Sequence, residues 1–516
     1  MKNKQSLLVT ICLIILAAAG CGSSKYIDDG LFGSEAEIKS ESETAAADAD
    51  APKFPDYKYD QENAQRMDTE SMAVSEQGFY YIIDNILFFY DIDSGLNTPL
   101  CSRVDCEHDD KDCDAYAASS DPVVDQVTGK ADLSCNCYQG KLFFYDSSLY
   151  MIERTKESDF LLCRYDSRFD NRESLCMLAS FSDEKEQTVA SDAHAGIISD
   201  GYLYYFTSVF DPEYAKKDYM LTFQCKRVRL EKNAQPETLG EFEYASDYAM
   251  KAGDSNGLNI FIEGSDVYYI AGGTARMYTA SNNVQYRAAR YDTISGTFSE
   301  LWSYTGSEGN EVFGKGTGEA VSVSTGNNMR MDDAGNIYIL TRSKENKWND
   351  ANSIVKFNLS GQNGEIIYTT DRDGIINMRY NDGVLYFFEI NDEIDEDPPV
   401  LSAIKTDGTY IAGQDMQYTQ EILEREKNVR KKAGANGTSL PPAKNILFYG
   451  IDERYILLGS KSVGFEGLSV ENLGEHESIE RADGALVTAG VGVLDRFVFL
   501  SGSHCEIKQV YQYKKQ

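Results

Sequence analysis

A short apolar-aromatic run, opened by a turn, recurs eight times along the chain. No other feature restricts the possible folds as strongly. The first copies are Gly78-Phe79-Tyr80-Tyr81-Ile82, Gly140-Lys141-Leu142-Phe143-Phe144-Tyr145 and Gly201-Tyr202-Leu203-Tyr204-Tyr205-Phe206. Next come Ser265-Asp266-Val267-Tyr268-Tyr269-Ile270 and Gly335-Asn336-Ile337-Tyr338-Ile339-Leu340. The last three are Gly383-Val384-Leu385-Tyr386-Phe387-Phe388, Glu453-Arg454-Tyr455-Ile456-Leu457-Leu458 and Asp495-Arg496-Phe497-Val498-Phe499-Leu500. Each run is aromatic and β-branched enough for a buried strand and too short for a helix. A recurring unit of this kind buries its apolar face against its neighbours.

A second element trails the run in many copies. It ends in a polar residue and a Gly turn, as in Tyr90-Asp91-Ile92-Asp93-Ser94-Gly95, Tyr291-Asp292-Thr293-Ile294-Ser295-Gly296, Phe357-Asn358-Leu359-Ser360-Gly361 and Ile404-Lys405-Thr406-Asp407-Gly408. This is a strand closing in a hairpin. A further strand follows in places, such as Phe298-Ser299-Glu300-Leu301-Trp302, and one precedes the run at Ile375-Ile376-Asn377-Met378-Arg379-Tyr380. Four strands per unit of about 60 residues predict an all-β chain, a β-propeller of seven or eight four-stranded blades with long loops. The anchors are spaced unevenly, about 42 to 70 residues apart, so the repeat is degenerate. Two separate β-sandwiches are the alternative, but eight similar units favour radial repetition. The last unit, 485–516, has room for three strands, and the stretch 54–65 is expected to supply the fourth. One helix is expected as an insertion at 415–432. There Met416, Ile422, Leu423 and Val429 lie among charged residues, with Asp415 as N-cap and Gly434 as stop. It would cover a propeller face or dock a partner.

The first residues have a different pattern. Lys2 and Lys4 precede an apolar run from Leu7 to Ala19, and the small residues Ala17 to Gly20 lead into Cys21. That is the layout of a secretory signal peptide over residues 1–20, and the run is shorter than the roughly 20 apolar residues of a membrane-spanning helix. Ala18-Ala19-Gly20-Cys21 resembles a lipoprotein signal-peptidase site, although the leucine usual three before the cysteine is Ala18 here. The resemblance implies diacylglycerol on the Cys21 sulfur and a cell-membrane anchor on the extracytoplasmic face. Residues 21–55 are rich in Ser, Ala, Asp and Glu, too poor in large apolar groups to repay the entropy of folding. They read as a flexible acidic tether with a mean reach of roughly 30–35 Å, leaving 56–516 for the propeller.

The chain has 83 acidic and 49 basic residues, a net charge of −34. Such a surface repels nucleic acid and anionic headgroups. No Gly-x-Ser-x-Gly elbow, HExxH helix or phosphate-binding Gly loop occurs. The acidic stretch from Glu389 to Asp397 reads as a solvated loop rather than a Ca²⁺ site, since it lacks the spacing of oxygen ligands.

Five of the eleven cysteines cluster between Cys101 and Cys137. Cys101, Cys106, His108 and Cys113 form a C-x4-C-x-H-x4-C motif. Three thiolates and an imidazole are the ligand set of a structural zinc site. Disulfides are the alternative in a secreted chain, and the residues leave both open. Cys163, Cys176, Cys225 and Cys505 are scattered and read as buried small hydrophobes. Leu100-Cys101, Cys106, His108, Cys113 and Ala115-Tyr116 together resemble a motif found after the first blade in uncharacterised propeller lipoproteins of anaerobic Gram-positive bacteria. That resemblance spans the signal, the motif and the aromatic repeats, and it implies no particular activity. The expected function is a non-enzymatic surface binding or scaffold protein for a protein or glycan ligand. The alternative is a surface enzyme acting on glycan or peptide through carboxylates in the propeller funnel.

Overall fold

The computed structural model describes residues 72–75, 78–83, 86–91, 94, 96–103, 105–108, 113–117, 137–138, 142–155, 159–165, 172–180, 186–189, 195–210, 219–246, 258–274, 284–305, 319–320, 329–332, 334–342, 351–361, 364–391, 400–415, 447–451, 455–460, 464–469, 476–479, 487–493, 496–503 and 506–514. Beyond Asp415 only the backbone is described. All of these residues belong to one compact unit, Lys53–Gln516. The signal peptide, Cys21 and the tether lie outside the described residues, as does the expected closing strand at 54–65.

The described strands make eight separate antiparallel sheets, each with strands following one another in chain order, except that in three of them the first strand is split into two pieces that both pair with the second strand. Blade one contains Met72–Val74, Gly78–Ile83, Ile86–Asp91 and Asn97–Pro99. In blade two the first strand comes in two pieces, Cys137–Tyr138 and Phe143–Tyr145, both paired to Ser148–Arg154; Phe160–Tyr165 and Arg172–Ala179 complete it. Blade three, which begins at Glu186–Val189 and Gly196–Ser199, and blade five, at Glu319–Ala320 and Met329–Met331, are broken in the same place. Blades four, six and seven have four unbroken strands, and blade eight has three, Val487–Val493, Arg496–Ser503 and Glu506–Lys514. First strands of neighbouring sheets touch, from blade one through blade four and from blade five through blade eight. This is a β-propeller, with eight blades among the described residues, not a pair of sandwiches.

The repeat works through its second strand. Alternate side chains on a strand point to opposite faces, so one second strand can grip two neighbours. Leu149 of blade two packs with Tyr80 and Leu87 of blade one, whereas Tyr150 packs with Leu203 of blade three. Leu203 and Tyr204 repeat the arrangement one blade on, as do Val267 with Tyr268 and Ile337 with Tyr338. Tyr80, Tyr150, Tyr204, Tyr268, Tyr338 and Tyr386 thus hold one equivalent position, and all six are buried. The abundant tyrosines of the runs are core, as the sequence indicates. Buried phenols of the other parity find acceptors in the preceding blade: Tyr205 donates to the Leu178 carbonyl at 3.1 Å and Tyr269 to the Lys226 carbonyl at 2.7 Å.

Seven of the eight runs fall on second strands, but the run at 140–145 does not. Phe143–Tyr145 belongs to the first strand of blade two, and the equivalent second strand is Ser148–Arg154. The turn between them is Asp146-Ser147, with φ of 46° and 58°. A two-residue turn of this hand normally carries Gly or Asn, as at Asp200-Gly201 and Asp382-Gly383. Without glycine, the true hairpin gave no signal. The helical insertion is not found among the described residues, which contain no helix. Asp415 ends the strand Tyr410–Asp415, and 416–432 lie outside the described residues.

Glycines let blades approach at their outer strands. Gly361, with φ of 72°, lies beneath the Trp302 indole of blade four, where an added Cβ would come 2.6 Å from the ring. The Trp302 Nε1–H donates to the Leu359 carbonyl at 2.9 Å. Gly201 has a similar φ of 75° with open space around it. Gly201→Ala should therefore cost about 1–2 kcal/mol of backbone strain alone. Gly361→Ala should cost a further 1–3 kcal/mol or so for overpacking. Urea denaturation of the two variants measures the difference, and equal losses would rule out the indole contact.

Candidate metal centre

The expected ligand set converges. One donor atom from each of Cys101, Cys106, His108 and Cys113 lies within 4.8 Å of the others. His108 Nδ1 is 3.4 Å from Cys113 Sγ. A tetrahedral zinc site, with Zn–S about 2.3 Å and Zn–N about 2.0–2.1 Å, has an S–N edge of about 3.5 Å. The cluster can hold a metal ion. The three cysteines are free thiols. A pairwise bridge would use only two of the sulfurs and would not need the imidazole, whereas all four donors lie together here.

Local backbone geometry brings the donors together. The last strand of blade one, Asn97–Pro99, leaves the sheet after the Leu100 N–H bonds to the Leu87 carbonyl at 2.9 Å. The chain returns in a bridge between Tyr116 and Ile86, with the Leu87 N–H donating to the Ala115 carbonyl at 2.8 Å. Between Leu100 and Ala115 the chain thus makes an excursion from the outer strand, of which residues 101–103, 105–108 and 113–114 are described, and the four donors lie together within it. A turn from the Cys106 N–H to the Arg103 carbonyl folds the near side. His108 adopts φ of 56°, a left-handed conformation that histidine tolerates better than most residues.

The two sides of the cluster differ in environment. Cys113 is buried with Ala115 and Ala117 in the core between blades one and two, and burial pushes its thiol up to about 12. Cys101 and Cys106 are half-buried at the rim. Partial burial also pushes the Cys101 thiol up. Backbone N–H groups near Arg103 and Asp114, with the neighbouring thiols, outweigh that and hold it below its ordinary value.

Two residues of blade two that the sequence motif does not reveal fasten the returning chain. Tyr165 donates its hydroxyl to the Asp114 carbonyl at 3.1 Å, and Arg172 Nη1 donates to the Tyr116 carbonyl at 3.4 Å. Arg172 is itself paired with Glu153, a buried carboxylate of the same blade. These partners are 51 and 56 residues away in sequence, so no local spacing announces them. The remaining sequence expectations fall as follows. Cys163, Cys176 and Cys225 are buried in strands, and Cys505 lies outside the described residues. Glu389 is not part of a solvated loop. It is buried on the second strand of blade six and accepts hydrogen bonds from Tyr368 at 2.7 Å, Ser402 at 2.5 Å and Thr370. Three hydroxyl donors make burial of a carboxylate tolerable; the rest of the acidic stretch, 392–397, lies outside the described residues.

No protein-family model and no curated protein matches the sequence. Among solved structures, the chain is similar to BamB from Moraxella catarrhalis, with 12% identity, a TM-score of 0.41, and coverage of 84% of this chain and 95% of the other. It is also similar to a puromycin-hydrolyzing peptidase of Mycobacterium tuberculosis, with 10% identity and a TM-score of 0.42. That match covers 86% of this chain but 59% of the peptidase. The β-propeller domain of the Trilobed protease from Pyrococcus furiosus is matched over 99% of its length and 81% of this chain, with 9% identity and a TM-score of 0.34.

Tyr165→Phe removes the bond to the Asp114 carbonyl and leaves the donor set untouched. It should lower stability by about 0.5–1.5 kcal/mol, read as a shift in the urea midpoint. An unchanged midpoint would mean that the hydroxyl contributes nothing to holding the excursion.

Proposed function

We propose that this chain is a lipid-anchored propeller on the extracytoplasmic face of the cell membrane, serving as a non-enzymatic binding scaffold with one structural zinc. The observation that carries the reading is the placement of the Cys101, Cys106, His108 and Cys113 cluster. Its four donors lie together after the outer strand of blade one, within an excursion packed against blade two. Four protein ligands fill a tetrahedral zinc, whereas a catalytic zinc keeps one position open. A metal held there would close the excursion on itself rather than do chemistry. The anchor is supported by the signal-like residues 1–20 and by Cys21. The acidic tether and net charge of −34 would hold the body away from anionic headgroups. The ligand would be a protein or a glycan, and the membrane contact would be made by lipid alone.

The anchor is tested with Cys21→Ser. The variant should lose the lipid mass increment and move from the membrane fraction to the medium. Lipid retained at the wild-type level would place the anchor elsewhere.

The zinc is tested by metal analysis of the purified chain, which should contain about one ion, as a closed site of this type holds. His108→Ala should lower that occupancy without changing the thiol count. Bound thiols must be ionised and the imidazole neutral, so protons compete with the metal and zinc should leave as pH falls. Burial that favours the protonated Cys113 thiol acts in the same direction. Metal-free protein with a bridge among Cys101, Cys106 and Cys113 would end the zinc reading. Turnover of a glycan or peptide substrate by the purified chain would favour the enzyme over the scaffold.

A further inference from the structure

We propose that the cysteine-histidine cluster is an oxidant-sensitive clip, in which hydrogen peroxide joins Cys101 to Cys106, expels the metal and frees the excursion between blades one and two. The inference rests on the metal reading above and adds a regulation of the same site.

The asymmetry of the cluster carries the argument. Cys101 and Cys106 are half-buried at the edge of the blade one core, open in part to solvent and to a small oxidant. Cys113 is 4% exposed and packs in the core itself. Its surroundings are pinned: its carbonyl accepts the Tyr116 N–H at 3.0 Å, and Asp114 and Ala115 are tied to blades two and one. The stretch between Cys101 and Cys106 is short and already folded by the turn to Arg103. Their sulfurs lie within 4.8 Å, and a disulfide of about 2.05 Å asks only for local movement of that turn. Cys163, in the same core as Cys113, and Cys176 and Cys225, in other cores, are buried, so a solvent-borne oxidant meets Cys101 and Cys106 more readily.

The step balances as follows. One thiolate attacks the peroxide, its O–O bond breaks, and a sulfenic acid and water form. The second thiolate attacks the sulfenic sulfur, the S–S bond forms, and hydroxide leaves to be protonated as water. Two thiolates are oxidised by two electrons in all, and one peroxide takes up those electrons and two protons to give two waters. His108 and Cys113 remain as donors, two fewer than a closed zinc site uses, so the ion departs. Residues 113–117 keep their hydrogen bonds to both blades, so the release is confined to the excursion at the rim.

The test uses the full-length chain, purified in detergent without oxidant and treated with hydrogen peroxide. Released zinc is read with a chromogenic chelator, and disulfides are mapped by mass spectrometry of an unreduced digest. The expected result is loss of zinc in parallel with a Cys101–Cys106 bridge, with new protease cleavage between residues 101 and 113. Dithiothreitol with added Zn²⁺ should reverse all three. Zinc retained under peroxide, or released with Cys113 in the bridge, would overturn the clip and leave the zinc reading standing. A reduced chain that contains no zinc and takes up none from added Zn²⁺ would overturn the zinc reading and the clip together.

Discussion

The fold depends on side chains of the second strands reaching into both neighbouring blades. A single four-stranded sheet exposes two faces and cannot bury either alone. Leu203 and Tyr204 solve this for blade three by entering two different cores, one on each side. Burying each such side chain is worth about 1.5–3 kcal/mol, and the position recurs from Tyr80 to Tyr386. Stability is therefore shared between neighbours rather than held within a blade. The same logic explains why the contacts at the outer strands involve glycine. Trp302 can lie across Gly361 only because no Cβ stands in the way.

Several polar groups buried inside this stack reach partners in a neighbouring blade or strand. Tyr205 and Tyr269 carry hydroxyls into apolar cores, and both reach a carbonyl of the preceding blade. Glu389 gathers three hydroxyls around a buried carboxylate. In each case the burial is tolerable because a hydrogen bond replaces the lost water. An acidic residue in this chain is therefore not always a surface residue, despite the large negative charge.

The excursion after blade one interrupts the repeat. An outer strand that leaves its sheet and returns to it must be tied at the neck, or its return is entropically unfavourable. Hydrogen bonds from Tyr165 and Arg172 contribute about 1 kcal/mol each. A metal held by three thiolates and an imidazole contributes far more, roughly 10–16 kcal/mol in small zinc peptides. On that comparison an ion at the neck would outweigh these two hydrogen bonds.

Much of this was legible in the sequence. Period-2 aromatic runs such as Tyr204-Tyr205-Phe206 determine strands, and their eightfold recurrence determines radial repetition, because one pattern copied along a chain makes one unit copied in space. The donor types and their spacing likewise marked Cys101, Cys106, His108 and Cys113 as a set. The sequence could not place blade two in register, since Asp146-Ser147 makes its turn without glycine. Nor could it reveal that Glu389 is buried, because its three hydroxyl partners lie 13 to 21 residues away along the chain. The choice between pairing and convergence of the thiols also belonged to the tertiary structure. Convergence depends on Tyr116 returning to Ile86 and on blade two closing over Cys113, and contacts so distant along the chain exist only once the blades have packed.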